Sequence, residues 1–200
     1  MEVVKINQIN LEEILQSLKK GKVIVCPTDT VYGLVCDATN KKAVEKTFRI
    51  KNRDKKKPLP VFVKDIEMAK TLAEINERQE KILKKHWPGK FTFILRIKKH
   101  WEARPPNASR LVLGKDGTIG LRVPDYKLLN SILEKFKKPL AQTSANISGK
   151  PALIKIEDII KQFENQKDHP DLFLDAGNFK KSKPSKVINI INKKPIVLRY

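Results

Sequence analysis

The stretch "KVIVCPTDTVYGLV" (residues 22–35) passes from an apolar run into a polar one, and its reading decides the rest. Val23, Ile24, Val25 and Cys26 have the content of a short buried strand. Thr28, Asp29, Thr30 and Tyr32 follow, with Gly33 behind them. A plain turn needs one or two polar residues. Four hydrogen-bonding side chains in five positions describe the lining of a site, and open α/β sheets bind ligands at such strand ends.

Working outward, helical and strand patterns alternate along the chain. "NLEEILQSLKKG" (10–21) puts Leu11, Ile14, Leu15 and Leu18 on one helical face, with Asn10 and Glu13 as a capping box and Gly21 as the stop. Further helices are expected over 40–51, with Ala43, Val44, Thr47 and Phe48 inward, over 65–86 as one or two, over 125–137, and within 155–164. Strands are expected at 22–26, 59–63, 91–97, 118–123, 139–143, 172–175, 186–191 and 195–200. Ile188, Ile190, Ile196 and Leu198 have strand spacing and are expected to be buried. This interleaving predicts a sheet covered by helices in a single domain over residues 1–200, with connections too varied for an all-parallel sheet.

Lys and Arg number 42 against 22 Asp and Glu, a formal net charge of +20. Such a field attracts nucleic acid, nucleotides or acidic surfaces, or reflects a lysine-rich surface that serves solubility. No stretch approaches the ~20 apolar residues of a membrane span. The N-terminus lacks the layout of a secretory signal. Cys26 and Cys36 read as free thiols of a reducing cytoplasm. The scattered His86, His100 and His169 argue against a metal site.

Five polar clusters end apolar strands. The first is Thr28 to Tyr32. The second is "KNR" (51–53), within a run of nine Lys or Arg between 41 and 57. Lys51 and Arg53 are two apart and point the same way if extended, so they either grip a triphosphate or belong to a solvated charge run. The third cluster is Thr118 with Arg122, where Arg122 is a surface residue or a carboxylate clamp. The fourth is "TSANISG" (143–149), a phosphate-approaching loop or a polar turn supported by Asn146. The fifth is "KPSK" (183–186), followed by Arg199. No nucleophile elbow, Cys/His pair or catalytic acid pair is present, so an enzyme here would work by positioning and charge stabilisation.

In this order, "PTDTVYGL" (27–34), "KNR" with "PLPV" (58–61), "WPGKFTFIL" (87–95), "GLRVP" (120–124) and "TSANISG" resemble the YrdC family of threonylcarbamoyl-adenylate synthases over about residues 10–200. The resemblance implies a twisted mixed sheet flanked by helices around a deep, positively charged cavity. It implies that L-threonine, bicarbonate or CO2, and ATP with Mg2+ give threonylcarbamoyl-AMP and pyrophosphate, for modification of tRNA next to the anticodon. Thr30 would bond the threonine, Tyr32 and Gly33 would turn to shape that wall, Arg122 would clamp the carboxylate, and Ser185 would lie near the substrate. Lys51 and Arg53 would hold the phosphates and carry the catalysis. Thr118, Ser144, Asn146 and Arg199 would complete the nucleotide side.

Three departures are visible. Phe62 stands where some members carry a substrate-contacting histidine. Lys186 stands where a hydroxyl residue usually follows the serine. The extra C-terminal domain of longer members is not expected. The short form usually relies on other tRNA threonylcarbamoylation proteins, and tRNA or another RNA is a conceivable direct partner. An RNA-binding module of the same fold without synthase activity is the competing reading. The +20 charge favours it, and the small set of eleven Phe and Tyr residues and the lack of an RNA-binding signature oppose it.

Overall fold

Mixed pairing builds one sheet from strands that are far apart in the chain. The computed structural model describes residues 1–99, 110–114, 116–179, 182 and 184–199. The strands are β1 (Glu2–Lys5), β2 (Ile24–Cys26), β3 (Gly33–Asp37), β4 (Val61–Phe62), β5 (Ala73–Glu74), β6 (Phe91–Ile97), β7 (Thr118–Arg122), β8 (Leu140–Ser144), β9 (Leu172–Asp175), β10 (Lys186–Asn189) and β11 (Ile196–Arg199). Their order is β1-β9-β2-β3-β8-β4-β7-β6-β10-β11, with β5 paired to β6 off this path. Parallel pairs (β2 with β9, β4 with β7, β6 with β10) alternate with antiparallel ones (β2 with β3, β3 with β8, β6 with β7).

The helices are α1 (Leu11–Lys19), α2 (Lys41–Lys51), α3 (Ile66–Leu72), α4 (Glu77–His86), α5 (Lys127–Phe136) and α6 (Ile156–Phe163). They cover both faces of the sheet. On one face Ile14, Leu15 and Leu18 of α1 and Ile132 and Phe136 of α5 pack on Ile24, Val35, Phe62 and Leu140. On the other, Val44 and Phe48 of α2, Leu83 of α4 and Phe163 of α6 pack on Val25, Leu34, Val61 and Phe93. The central strands are buried on both sides, which is why they read as continuous apolar runs.

Several expectations need correction. The capping box at α1 is half formed: Asn10 caps through the Glu12 N–H at 3.0 Å. A complete box sits at α4, between Asn76 and Gln79. The helical span 65–86 is two helices, within the expectation, and the unexpected feature is the short strand β5 between them. The strand at 59–63 is only Val61–Phe62, and β1, β3 and β5 lacked a strand signal. Gly33 begins β3 instead of forming a turn, paired with Cys26 and Ser144. Ile190 is fully buried and Ile188 half-buried, but Ile196 is 50% and Leu198 59% exposed. They belong to an edge strand, β11, which β10 covers along one side alone. Lys183 and Tyr200, members of the predicted basic cluster and final strand, lie outside the described residues.

Candidate active site

Register places the site residues. Side chains of directly paired residues share a sheet face, and the face alternates along each strand. Phe62 pairs with Arg122 and with Leu140, so Leu140, Gln142 and Ser144 stand on the Arg122 face. Gly120 pairs with Ile94, so Thr118, Gly120 and Arg122 of β7 share that face with Thr92 and Ile94 of β6. Val187 pairs with both Thr92 and Arg199. Arg122 and Arg199 therefore rise from the same face, on β7 and β11. Between them stand Thr92 of β6 and Val187 of β10, with Gly120 beside Arg122 on β7. A Cβ at Gly120 would come within 3.2 Å of Ile94 Cδ1.

Lys51 approaches the Ser144 end of β8 from α2, whose apolar side packs on the opposite face of the sheet. It is the last helical residue, and Asn52 then adopts the left-handed conformation (φ 50°) before Arg53. The two cations are thus separated by a sharp turn and do not lie on an extended segment. A left-handed residue at a helix C-terminus is tolerated by Asn. Lys51 is 3% exposed, and its Nζ donates to the Ser144 carbonyl at 2.8 Å, Ser144 Oγ at 3.3 Å, the Asn146 carbonyl at 2.8 Å and Asn146 Oδ1 at 2.8 Å. The Asn146 amide in turn donates to the carbonyls of Ile147 and Lys150. Lys51 thus holds the "TSANISG" loop shut, and Asn146 both braces that loop and meets the ammonium. Burial, with the Arg53 charge beside it, pulls Lys51 down to about 7.

Arg53 donates to the carbonyls of Lys57 at 2.8 Å and Pro58 at 3.1 Å. Desolvation lowers its pKa, and Arg199 lowers it further. Arg199 donates through Nε (3.1 Å) and Nη2 (2.7 Å) to the Ser185 carbonyl, and through Nη2 to Ser185 Oγ at 3.1 Å. Ser185 Oγ also meets Thr92 Oγ1 at 3.2 Å. Arg122 is lowered by desolvation, against the opposing pull of Asp29, with Arg199 again adding to the lowering. Lys51 thus senses Arg53, and Arg53 and Arg122 each sense Arg199, whereas desolvation alone lowers Arg199.

Arg122 is not a surface residue. It is 2% exposed, its Cζ lies 5.6 Å from the Phe62 ring centroid, and its Nη2 meets Asp29 Oδ1 at 2.6 Å. Its Nε donates to the Gly89 carbonyl at 3.0 Å. Phe62 thus packs beneath the guanidinium on the adjacent strand.

In the opening stretch, Thr28 Oγ1 accepts from the backbone N–H of Thr30 (3.0 Å) and Val31 (3.2 Å) and donates to the Val31 carbonyl at 2.6 Å. Thr30 Oγ1 lies 3.0 Å from Thr28 Oγ1, and whichever hydroxyl donates in that pair, Thr30 Oγ1 keeps at least one lone pair open. The Tyr32 hydroxyl donates to the Gly177 carbonyl at 2.7 Å and accepts from the Ala176 N–H at 2.8 Å. Phe179 packs edge-on against its ring. Desolvation raises the Tyr32 phenol to about 12. Tyr32 therefore ties the site wall to the 176–179 segment.

The predicted residues do not all meet. Thr118 shares the Arg122 face but lies at the opposite end of β7, about 13 Å along the strand by its rise per residue. Its hydroxyl donates to Asp116 Oδ1 at 2.7 Å. Thr92 and Gln142, on the same face, carried no sequence signal because each sits inside a strand. Asp29 did carry one: it is the single acid in the five polar clusters, yet no role followed from the sequence.

The Sua5_yciO_yrdC family model, described as "Telomere recombination", matches residues 16–200. A protein of Methanocaldococcus jannaschii is 38% identical over 99% of this chain and 92% of its own. A Buchnera aphidicola threonylcarbamoyl-AMP synthase is 37% identical over 92% of this chain and 99% of its own. The crystal structure of Pyrococcus abyssi Sua5 complexed with L-threonine superposes with a TM-score of 0.86 at 27% identity, covering all of this chain and 57% of that one.

Proposed function

Because the chain belongs to the Sua5/YciO/YrdC family, we propose that it is a nucleotidyltransferase that makes threonylcarbamoyl-AMP and pyrophosphate from L-threonine, bicarbonate or CO2, and ATP. The observation that carries this reading is a linked set of cations, Lys51 lowered by Arg53 and both Arg53 and Arg122 lowered by Arg199, with one buried carboxylate, Asp29, bonded to Arg122. Such a group is short of negative charge. Two anionic substrates, a nucleoside triphosphate and an amino-acid carboxylate, would supply it.

The threonine amine and CO2 form a carbamate, and a carbamate oxygen attacks the α-phosphorus of ATP as pyrophosphate leaves. The nucleophile belongs to the substrate, in keeping with a site without a protein nucleophile. The residues hold two mutually repelling anions in line, and such alignment is worth ~7–11 kcal/mol of barrier. Arg53, Lys51 and Arg199 serve the phosphates, with Ser144 and Asn146 on the nucleotide side. Arg122, Thr30 and Ser185 serve the amino acid, and Tyr32 backs that wall. The cations and hydrogen-bond donors of the site suit phosphate, so Mg2+ would be held by the triphosphate, where it would supply neutralisation of the phosphate charge.

The product would pass to other tRNA threonylcarbamoylation proteins, with tRNA as the final acceptor, in the cytoplasm. Buried free Cys26 and Cys36 suit a reducing compartment. No helix among the described residues is long and apolar enough to cross a membrane. The test is ATP–pyrophosphate exchange. Exchange that requires both L-threonine and bicarbonate is the expected result. RNA binding without exchange would replace the enzyme by an RNA-binding module.

A further inference from the structure

Arg122 enters the ligand-free site already paired. Asp29 Oδ1 takes Nη2 at 2.6 Å and the Gly89 carbonyl takes Nε at 3.0 Å, so the guanidinium plane is fixed from two sides. Both side chains are buried, Asp29 at 7% and Arg122 at 2% exposed. A buried guanidinium without a counter-charge would be strongly destabilising, so one task of Asp29 is to keep Arg122 in place. That task uses one carboxylate oxygen. The other, Asp29 Oδ2, is buried and has no hydrogen-bond partner. A buried carboxylate oxygen without a donor is unfavourable, and native interiors rarely keep one without a reason. Beside Asp29 in the chain, Thr30 Oγ1 pairs with Thr28 Oγ1 at 3.0 Å and keeps at least one open lone pair whichever hydroxyl donates. Acceptors with open lone pairs thus stand in adjacent residues, next to the Arg122 cation.

An Arg alone would take any carboxylate. An Arg and Asp pair is neutral and prefers a ligand that carries both signs. Resting on the threonine reading above, we propose that Asp29 is the receptor for the α-ammonium of the amino acid. With Arg122 it makes the site select zwitterionic α-amino acids over other carboxylates. The ligand carboxylate meets the remaining edge of Arg122. The ammonium, with three donors and no acceptor, meets Asp29 Oδ2 and Thr30 Oγ1. Oδ2 is enclosed by the fold, so the carboxylate turns about its Cβ–Cγ bond as the ligand enters.

The test is calorimetric titration of the whole chain with L-threonine and with 2,3-dihydroxybutanoate. The second ligand keeps the carboxylate and side-chain hydroxyl and replaces the amine by a hydroxyl. Wild type should prefer L-threonine by tenfold or more. Asp29→Asn keeps an oxygen for Arg122 to bond, and it should lose tenfold or more for L-threonine while dihydroxybutanoate binds as before or more tightly. The melting temperature of the variant checks that it folds. The proposal is overturned if wild type binds the two ligands within twofold of each other, an outcome that needs no variant. It is also overturned if Asp29→Asn weakens both ligands equally, which would leave Asp29 as a support for Arg122 alone, or if it weakens neither. Wild type that binds neither ligand would remove the threonine reading and this inference together. Preserved threonine binding with unchanged discrimination in the variant would remove this inference alone.

Discussion

At the residue scale, Lys51 and Arg122 are both buried cations with opposite surroundings. Arg122 has an acid partner and Lys51 has four oxygens of one loop. Lys51→Ala should therefore loosen the 144–146 loop as well as remove a phosphate contact. Charge-assisted hydrogen bonds contribute ~1.5–3 kcal/mol each, so about a tenfold to hundredfold loss in exchange rate is expected for Lys51→Ala and for Arg53→Ala. Lys56→Ala, in the same basic run but exposed, should be nearly silent. Equal losses at all three positions would mean a diffuse field and not a site. Lys51 also gives a pH signature. Its pKa falls from the ordinary lysine value to about 7, so between pH 7 and about 10.4 the unfolded chain binds more protons than the folded one. This group's contribution to stability therefore rises with pH across that window, while the loss of its charge weakens ATP binding. Thermal midpoints of wild type minus those of Lys51→Met, measured from pH 7 to 9.5, should rise, and ATP affinity should fall. A flat difference would show that Lys51 stays charged throughout.

At the scale of elements, the C-terminal hairpin separates stability from function. β11 is an edge strand whose Ile196, Val197 and Leu198 are exposed, so its apolar spacing adds little to the core. The segment before it is held independently: Arg78 Nη2 donates to the carbonyls of Ile190 at 2.7 Å and Asn192 at 3.0 Å, and Gln79 donates to Ile190 at 3.0 Å. β10 keeps its parallel partner β6. Removing residues 196–200 should therefore shift the thermal midpoint by only a few degrees, on the order of 1 kcal/mol. It should nonetheless slow exchange and weaken ATP binding tenfold or more, because Arg199 is lost. Loss of folding would assign β11 to the core, and unchanged exchange would take Arg199 out of the site. A similar separation holds at the end of α2, where a single left-handed residue, Asn52, aims Lys51 into the interior and turns Arg53 away from the helix axis.

At the scale of the whole molecule, the +20 charge divides into two populations. Most lysines lie on the surface, whereas Lys51 and Arg122 are buried and Arg53 is half-buried; Arg199, on the exposed strand β11, keeps its guanidinium against Ser185. Screening acts on the first population far more than on the second. Non-specific RNA binding, if present, should fall steeply as salt rises from about 50 to about 300 mM, while threonine-dependent exchange falls only shallowly. Filter binding and exchange measured over the same salt series decide the matter, and parallel steep losses would assign catalysis to the surface field.

The sequence by itself determined the elements whose patterns are local. β6 and β9 were legible to the residue, and five helical segments to within one or two, because 3.6-residue and unbroken apolar patterns are properties of neighbouring residues. Five ordered motifs likewise identified the family. Tertiary structure alone decided what depends on residues far apart in the chain. β3 was hidden because its strand character comes from pairing with β2 and β8. The exposure of Ile196 and Leu198 depends on β11 being an edge, which no strand pattern encodes. Asp29 and Arg122 are 93 positions apart, and their contact follows from a strand order that is not the chain order. A carboxylate in a polar loop and an arginine in an apolar strand each have several readings alone. Their burial together, with one oxygen left unpaired, exists only once the sheet has formed around them.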